Sequence, residues 1–106
     1  MLARCPDGAI AALGGACHEL REANLTWCVQ LTDKGVTALA AGCPRLELLS
    51  LHGLRGVTDA SIAALAQRCA ASLHTLDVSG CVGIARRERE ALRQLLPALK
   101  TFVVHS

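Results

Sequence analysis

The chain has 106 residues, 52% of them apolar, and a formal charge of +2, which is enough material for one domain with its own core. Aromatic residues make up only 2%, leaving few rings on which bases can stack, and so small a positive excess does not neutralise a run of phosphates; no nucleic-acid partner is expected. The six cysteines come without loop-rich sequence or an export signal, and no apolar run nears the ~18 residues of a membrane span, so a reducing cytoplasmic or nuclear setting away from membranes is expected.

The first predicted element is a helix over residues 8–16, preceded by Asp7. Its apolar positions Ile10, Leu13, Gly14 and Cys17 fall at i, i+3, i+4 and i+7, one face of a helix. A short strand over 23–25 follows, framed by Leu20 and Cys28, with the period-two alternation of a half-buried strand. The helical stripe then returns as Val36, Leu39, Ala40 and Cys43, with Thr32 and Asp33 in front and Pro44 behind, where proline ends the hydrogen-bond ladder. A strand over 49–51 lies between Leu46 and Leu54, and a third stripe of Ile62, Leu65, Ala66 and Cys69 follows Thr58 and Asp59. Each of Asp7, Asp33 and Asp59 is expected to cap the helix it precedes, its carboxylate accepting from free backbone N–H groups. The next strand covers 76–78, between Leu73 and Cys81. In the last helix Arg89 and Arg93 stand where Val36 and Ala40 stood, and Ala85 and Arg86 replace the Thr-Asp pair, a polar terminal layer. Leu99 and a strand over 102–104 complete the pattern.

From Cys17 to Cys43, and again from Cys43 to Cys69, the step is 26 residues. A strand and a helix recurring at that interval predict an α/β leucine-rich-repeat solenoid: a short right-handed horseshoe, parallel strands on its concave face and helices on its convex face. One domain over residues 1–106 is expected, divided as a partial unit to 19, units over 20–45, 46–72 and 73–98, and a partial unit from 99. The chain enters in mid-repeat, so further sequence upstream is expected, and its open edges predict marginal stability or self-association.

The pattern of strand leucines, Cys28, then Leu31, Thr32 and Asp33, then Leu39, then Cys43 and Pro44, resembles the cysteine-containing repeats of the F-box/leucine-rich-repeat proteins. Departures are Leu54 for the strand-end cysteine, Leu96 for the helix-end one and Ala70 for the proline. The resemblance implies a substrate receptor: in that family an F-box docks on a Skp1–cullin ubiquitin ligase and the repeats recruit a target. No F-box is present in this sequence, so a Skp1–cullin partner is implied only if one lies elsewhere, and only the target-binding half carries over.

Between the buried strand positions, side chains are expected to project from the concave side: Glu22, Asn24 and Thr26; Leu48, Ser50 and His52; Thr75, Asp77 and Ser79; Thr101, Val103 and His105. Trp27 at the rim is a candidate anchor for a partner protein, or else packs on its own loop or on a further N-terminal repeat. His52 and Asp77 fall on adjacent strands, but without a nucleophile or oxyanion donors beside them a surface hydrogen bond is the better expectation than acid–base catalysis. His18 and His74 read as loop residues in solvent. The cysteines read as small apolar spacers, since no C-x-x-C pair exists and the period spreads the thiols over successive layers. Cys5 lies at the N-terminal edge.

The sequence therefore points to a protein-interaction module, not an enzyme, with no cofactor and no metal. Its expected role is the substrate-recognition part of an SCF-type (Skp1–cullin–F-box) ubiquitin ligase in ubiquitin-dependent protein degradation. The alternative is a leucine-rich-repeat scaffold outside any ubiquitin ligase.

Overall fold

A computed structural model describes residues 7–26, 28–85 and 89–103. Cys5, Trp27, Arg86, Val104 and His105 lie outside the described residues, as does the side chain of Arg89. Helices and strands alternate along the chain: α1 (Asp7–Ala16), β1 (Glu22–Asn24), α2 (Asp33–Gly42), β2 (Leu48–Ser50), α3 (Asp59–Arg68), β3 (Thr75–Asp77), α4 (Arg89–Leu95) and β4 (Thr101–Val103). The strands form one parallel sheet in the order β1-β2-β3-β4. Neighbours in the sheet are thus neighbours in sequence, each joined by a helical crossover, as parallel pairing requires.

The strands begin one residue earlier than expected, at Glu22, Leu48, Thr75 and Thr101. The buried alternation does run on past them, and the ladder with it: Leu25, Leu51 and Val78 donate to the carbonyls of Ser50, Asp77 and Val103. Register aligns Ala23 with Leu49, Leu49 with Leu76, and Leu76 with Phe102, so one apolar row crosses the sheet and faces the helices. Against that row pack Ile10, Val36, Leu39, Ile62, Leu65, Leu92 and Leu96.

The helix-end cysteines stack as a column. The Cys43 thiol donates to the Cys17 carbonyl at 3.1 Å, and the Cys69 thiol to the Cys43 carbonyl at 3.5 Å. On the strand side Cys81 donates to the Leu51 carbonyl at 2.8 Å, while Cys28 and Leu54 are buried at the same register position. A thiol fits there because it is small and apolar yet adds a weak second donor to a carbonyl that already accepts a backbone N–H within its own turn, from Leu20, Leu46 and Leu54 respectively.

The aspartates act across units, not within them. Thr32 and Thr58 cap α2 and α3, their hydroxyls accepting from the N–H groups of Lys34 and Ala60. Asp7 instead reaches forward, accepting from the Thr32 N–H at 2.8 Å, the Thr32 hydroxyl at 2.6 Å and the Gly35 N–H at 3.1 Å. Asp33 does the same for the next unit, taking the Thr58 N–H at 2.7 Å, the Thr58 hydroxyl at 2.6 Å and the Ser61 hydroxyl at 2.6 Å. Asp59 lies 3.4 Å from the Ala85 N–H, where no hydroxyl is present. The carboxylates of Asp7 and Asp33 thereby sit at the positive ends of α2 and α3 and fix the threonines that cap them.

Candidate protein-binding face

The face of the sheet away from the helices carries the candidate residues in rows. Register sets Glu22 beside Leu48, Leu48 beside Thr75 and Thr75 beside Thr101; the next row is Asn24, Ser50, Asp77 and Val103. Glu22, Asn24 and Thr101 are exposed, and Leu48, Ser50, Thr75, Asp77 and Val103 are half-buried. Because the strands are only three residues long, all of these side chains crowd into one narrow band.

The band is held by polar contacts between rows. Thr26 and Ser50 share a hydrogen bond of 3.1 Å between hydroxyls. Asn24 accepts from the Thr26 N–H at 3.0 Å and Asp77 from the Ser79 N–H at 2.9 Å, the same Asx turn two layers apart. His52 Nδ1 lies 4.0 Å from Asp77 Oδ2, both partly exposed, so the pair expected from sequence meets as a surface contact. This arrangement offers donors and acceptors to a partner from side chains that are partly open to water.

Ser79 is a correction. It is 1% exposed, not projected from the face, since it has already entered the turn: its carbonyl accepts from the Gly53 N–H at 2.7 Å, and Gly80 follows with φ 75°. Trp27 and His105 were expected on the face and fall outside the described residues. In register Trp27 stands where Gly53 and Gly80 stand in the next two units.

The histidines of the helix-to-strand turns are tied down more than expected. His18 Nδ1 donates to the Gly42 carbonyl at 2.9 Å. His74 lies 3.0 Å from the Thr75 hydroxyl and 3.6 Å from Glu47, which in turn lies 4.0 Å from Arg21. Sequence reading overlooked Val29 and Val82, which are 60% and 70% exposed; the signal available was that both share a register position with a charged residue, Arg55. Among the described residues no cluster of His, Cys, Asp and Glu suits a metal ion, and no helix is long and apolar enough to cross a membrane.

No protein-family model matches the chain. In three dimensions it is similar to a chain in the crystal structure of the complex of Rad7 and Elc1 in yeast, with TM-score 0.68 and 21% sequence identity over 95% of this chain. It spans 27% of the length of that chain. With the parallel strands, the alternating helices and the stacked cysteine column, that likeness establishes the fold as an α/β leucine-rich-repeat solenoid.

Proposed function

We propose that this chain is a protein-interaction module that captures a target protein on its strand face, as the substrate-recognition part of an SCF-type ubiquitin ligase acting in ubiquitin-dependent protein degradation. The observation that carries the capture reading is the continuous polar band of Asn24, Ser50 and Asp77, flanked by Thr26 and His52, which the parallel register assembles from successive units. Such a band gives directional hydrogen bonds over a broad strip, suited to a protein surface. The ligase setting is supported by the resemblance of the cysteine-bearing units to those of F-box/leucine-rich-repeat proteins. Protein binding is supported by the similar yeast chain, which was crystallised in a complex with another protein.

The test is affinity capture from cell extract with the chain, extended upstream to its full open reading frame. Asp77→Ala, His52→Ala and Trp27→Ala each reduce recovery of the target while the thermal transition is kept, and a Skp1-like adaptor is recovered only when an F-box is present upstream. Undiminished target recovery by all three variants would sink the strand-face assignment. An upstream region with no F-box and no recovered adaptor would favour a scaffold outside any ligase.

A further inference from the structure

The turns that lead from each strand to the next helix carry a second, different surface. Val29, Arg55 and Val82 occupy the same register position in three successive units. The residue before each of them, Cys28, Leu54 or Cys81, is buried, so the chain is anchored there and the next side chain is pushed outward. Val29 and Val82 are the exposed large hydrophobic residues among the described ones, at 60% and 70%. Arg55 between them is exposed, and no carboxylate among the described residues lies within ion-pair reach of it.

Two of the three ridge positions have glycine flanks, while Trp27 and Gln30 hold the equivalent places beside Val29 in the sequence. Gly53 and Gly56 lie to either side of Arg55, and Gly80 and Gly83 to either side of Val82. The turns are also closely layered: Thr32 and Gly56 form a parallel bridge, and a Cβ added at Gly80 would sit 3.3 Å from the Gly53 Cα. The three side chains are therefore spaced at about the 4.8 Å of parallel strands, which sets the two valines roughly 10 Å apart with a cation midway.

We propose that Val29, Arg55 and Val82 form a docking ridge for an amphipathic helix of a partner protein, one presenting a carboxylate between two apolar side chains at i, i+4 and i+7. The charge fits because the ridge offers a single cation, which has no carboxylate within ion-pair reach among the described residues. The spacing fits because a helix rises about 5.4 Å per turn and about 10.5 Å over seven residues, whereas an extended segment repeats a face every ~6.6 Å and misses the central cation. The glycines beside Arg55 and Val82 let the helix settle against backbone over that part of the ridge. This surface is separate from the strand face and does not depend on what that face binds.

The test measures fluorescence polarisation with two labelled alanine–glutamine helices of about 18 residues, one carrying Leu, Glu and Leu at those positions and the other Leu, Lys and Leu. The wild-type chain prefers the Glu helix by about tenfold, Arg55→Glu reverses the preference, and Val29→Ser with Val82→Ser weakens both helices. His52→Ala leaves the preference unchanged, which separates this ridge from the strand face. Reversal of preference also shows that Arg55→Glu remains folded. The proposal is overturned by equal binding of the two helices, by a preference that survives Arg55→Glu, or by no binding up to about 1 mM. A dimer in sedimentation that dissolves in Val29→Ser with Val82→Ser, without helix binding, would assign the ridge to a second copy of the chain instead.

Discussion

Asp33 secures a helix that is not its own: its carboxylate takes both the backbone N–H and the hydroxyl of Thr58, at 2.7 and 2.6 Å, and thereby fixes the residue that caps α3. Replacing it leaves the Thr58 N–H and the Ser61 hydroxyl without their acceptor. Asp33→Ala is expected to lower stability by about 2–3 kcal/mol, the scale of hydrogen bonds to a charged group. Urea denaturation checks this, and a loss under about 0.5 kcal/mol, the level of an ordinary surface change, would show the link to be dispensable.

The same links make stability depend on acid. At Asp33 burial pushes the carboxyl upward, but the hydrogen bonds from Ser61 and Thr58 outweigh it and the net displacement is downward. At Asp7 the bond from the Thr32 hydroxyl leads, with the same direction. A folded-state value below the unfolded one, about 3.9, means that the contribution is fully present above that pH. It is lost as pH falls through the depressed folded value. The urea midpoint should therefore hold steady from neutrality to about pH 5 and fall below about pH 4, with a shallower fall in Asp33→Ala. A midpoint that dropped equally in both proteins would assign the acid sensitivity to other groups.

Burial in the cysteine column pushes the Cys69 thiol up to about 11, and the neighbouring Cys43 adds to this; Cys43 is raised for the same reason, with Cys17 as its neighbour. A thiol that rarely ionises and is shielded from solvent reacts slowly. Among the described cysteines, alkylation of the native protein near pH 8, followed by peptide mapping, is expected to label the half-buried Cys17 first and Cys69 only on unfolding. Labelling of Cys69 as fast as Cys17 would contradict the packing described.

Three glycines separate close approach from simple helix preference. A Cβ on Gly42 would overlap the Gly14 carbonyl, and one on Gly14 would lie 2.9 Å from the Ala38 carbonyl, so α1 and α2 touch through backbone. Gly15, one residue on, has open space beside it. Gly42→Ala should destabilise by about 1–3 kcal/mol through overpacking, whereas Gly15→Ala should stabilise by about 0.5–1 kcal/mol because alanine loses less backbone freedom in a helix. Thermal melts of the two variants should move in opposite directions; movement in the same direction would refute the contact.

Within one unit the sequence was a reliable guide, because period two and period 3.6 report which face of a strand or helix is buried. Leu39, Leu49, Leu65 and Leu76 all lie in the core as their spacing requires, and Cys17, Cys43 and Cys69 line up in layers. Contacts between units were less legible. Asp33 looked like the cap of α2 because it stands at the start of that helix, but the carboxylate is used about 25 residues ahead, a distance no local pattern reports. Ser79 continued the alternation on paper yet is buried, since a turn begins there and ends the strand's two-sided geometry. The exposure of Val29 and Val82 was overlooked, because it shows only when each is aligned with Arg55 of the intervening unit.

The forward reach of Asp7 and Asp33 gives the stack a polarity. The layers of α2 and α3 lean on their predecessors for the carboxylate that anchors the helix start, while the thiols that reach backward touch only the helix end. Removing a leading layer thus deprives its follower of that clamp, whereas removing a trailing one leaves the clamps of the remaining helices in place. Unravelling should sweep from front to rear like a zip drawn in one direction, and proteolytic trimming ought to find the leading edge the costlier one to lose.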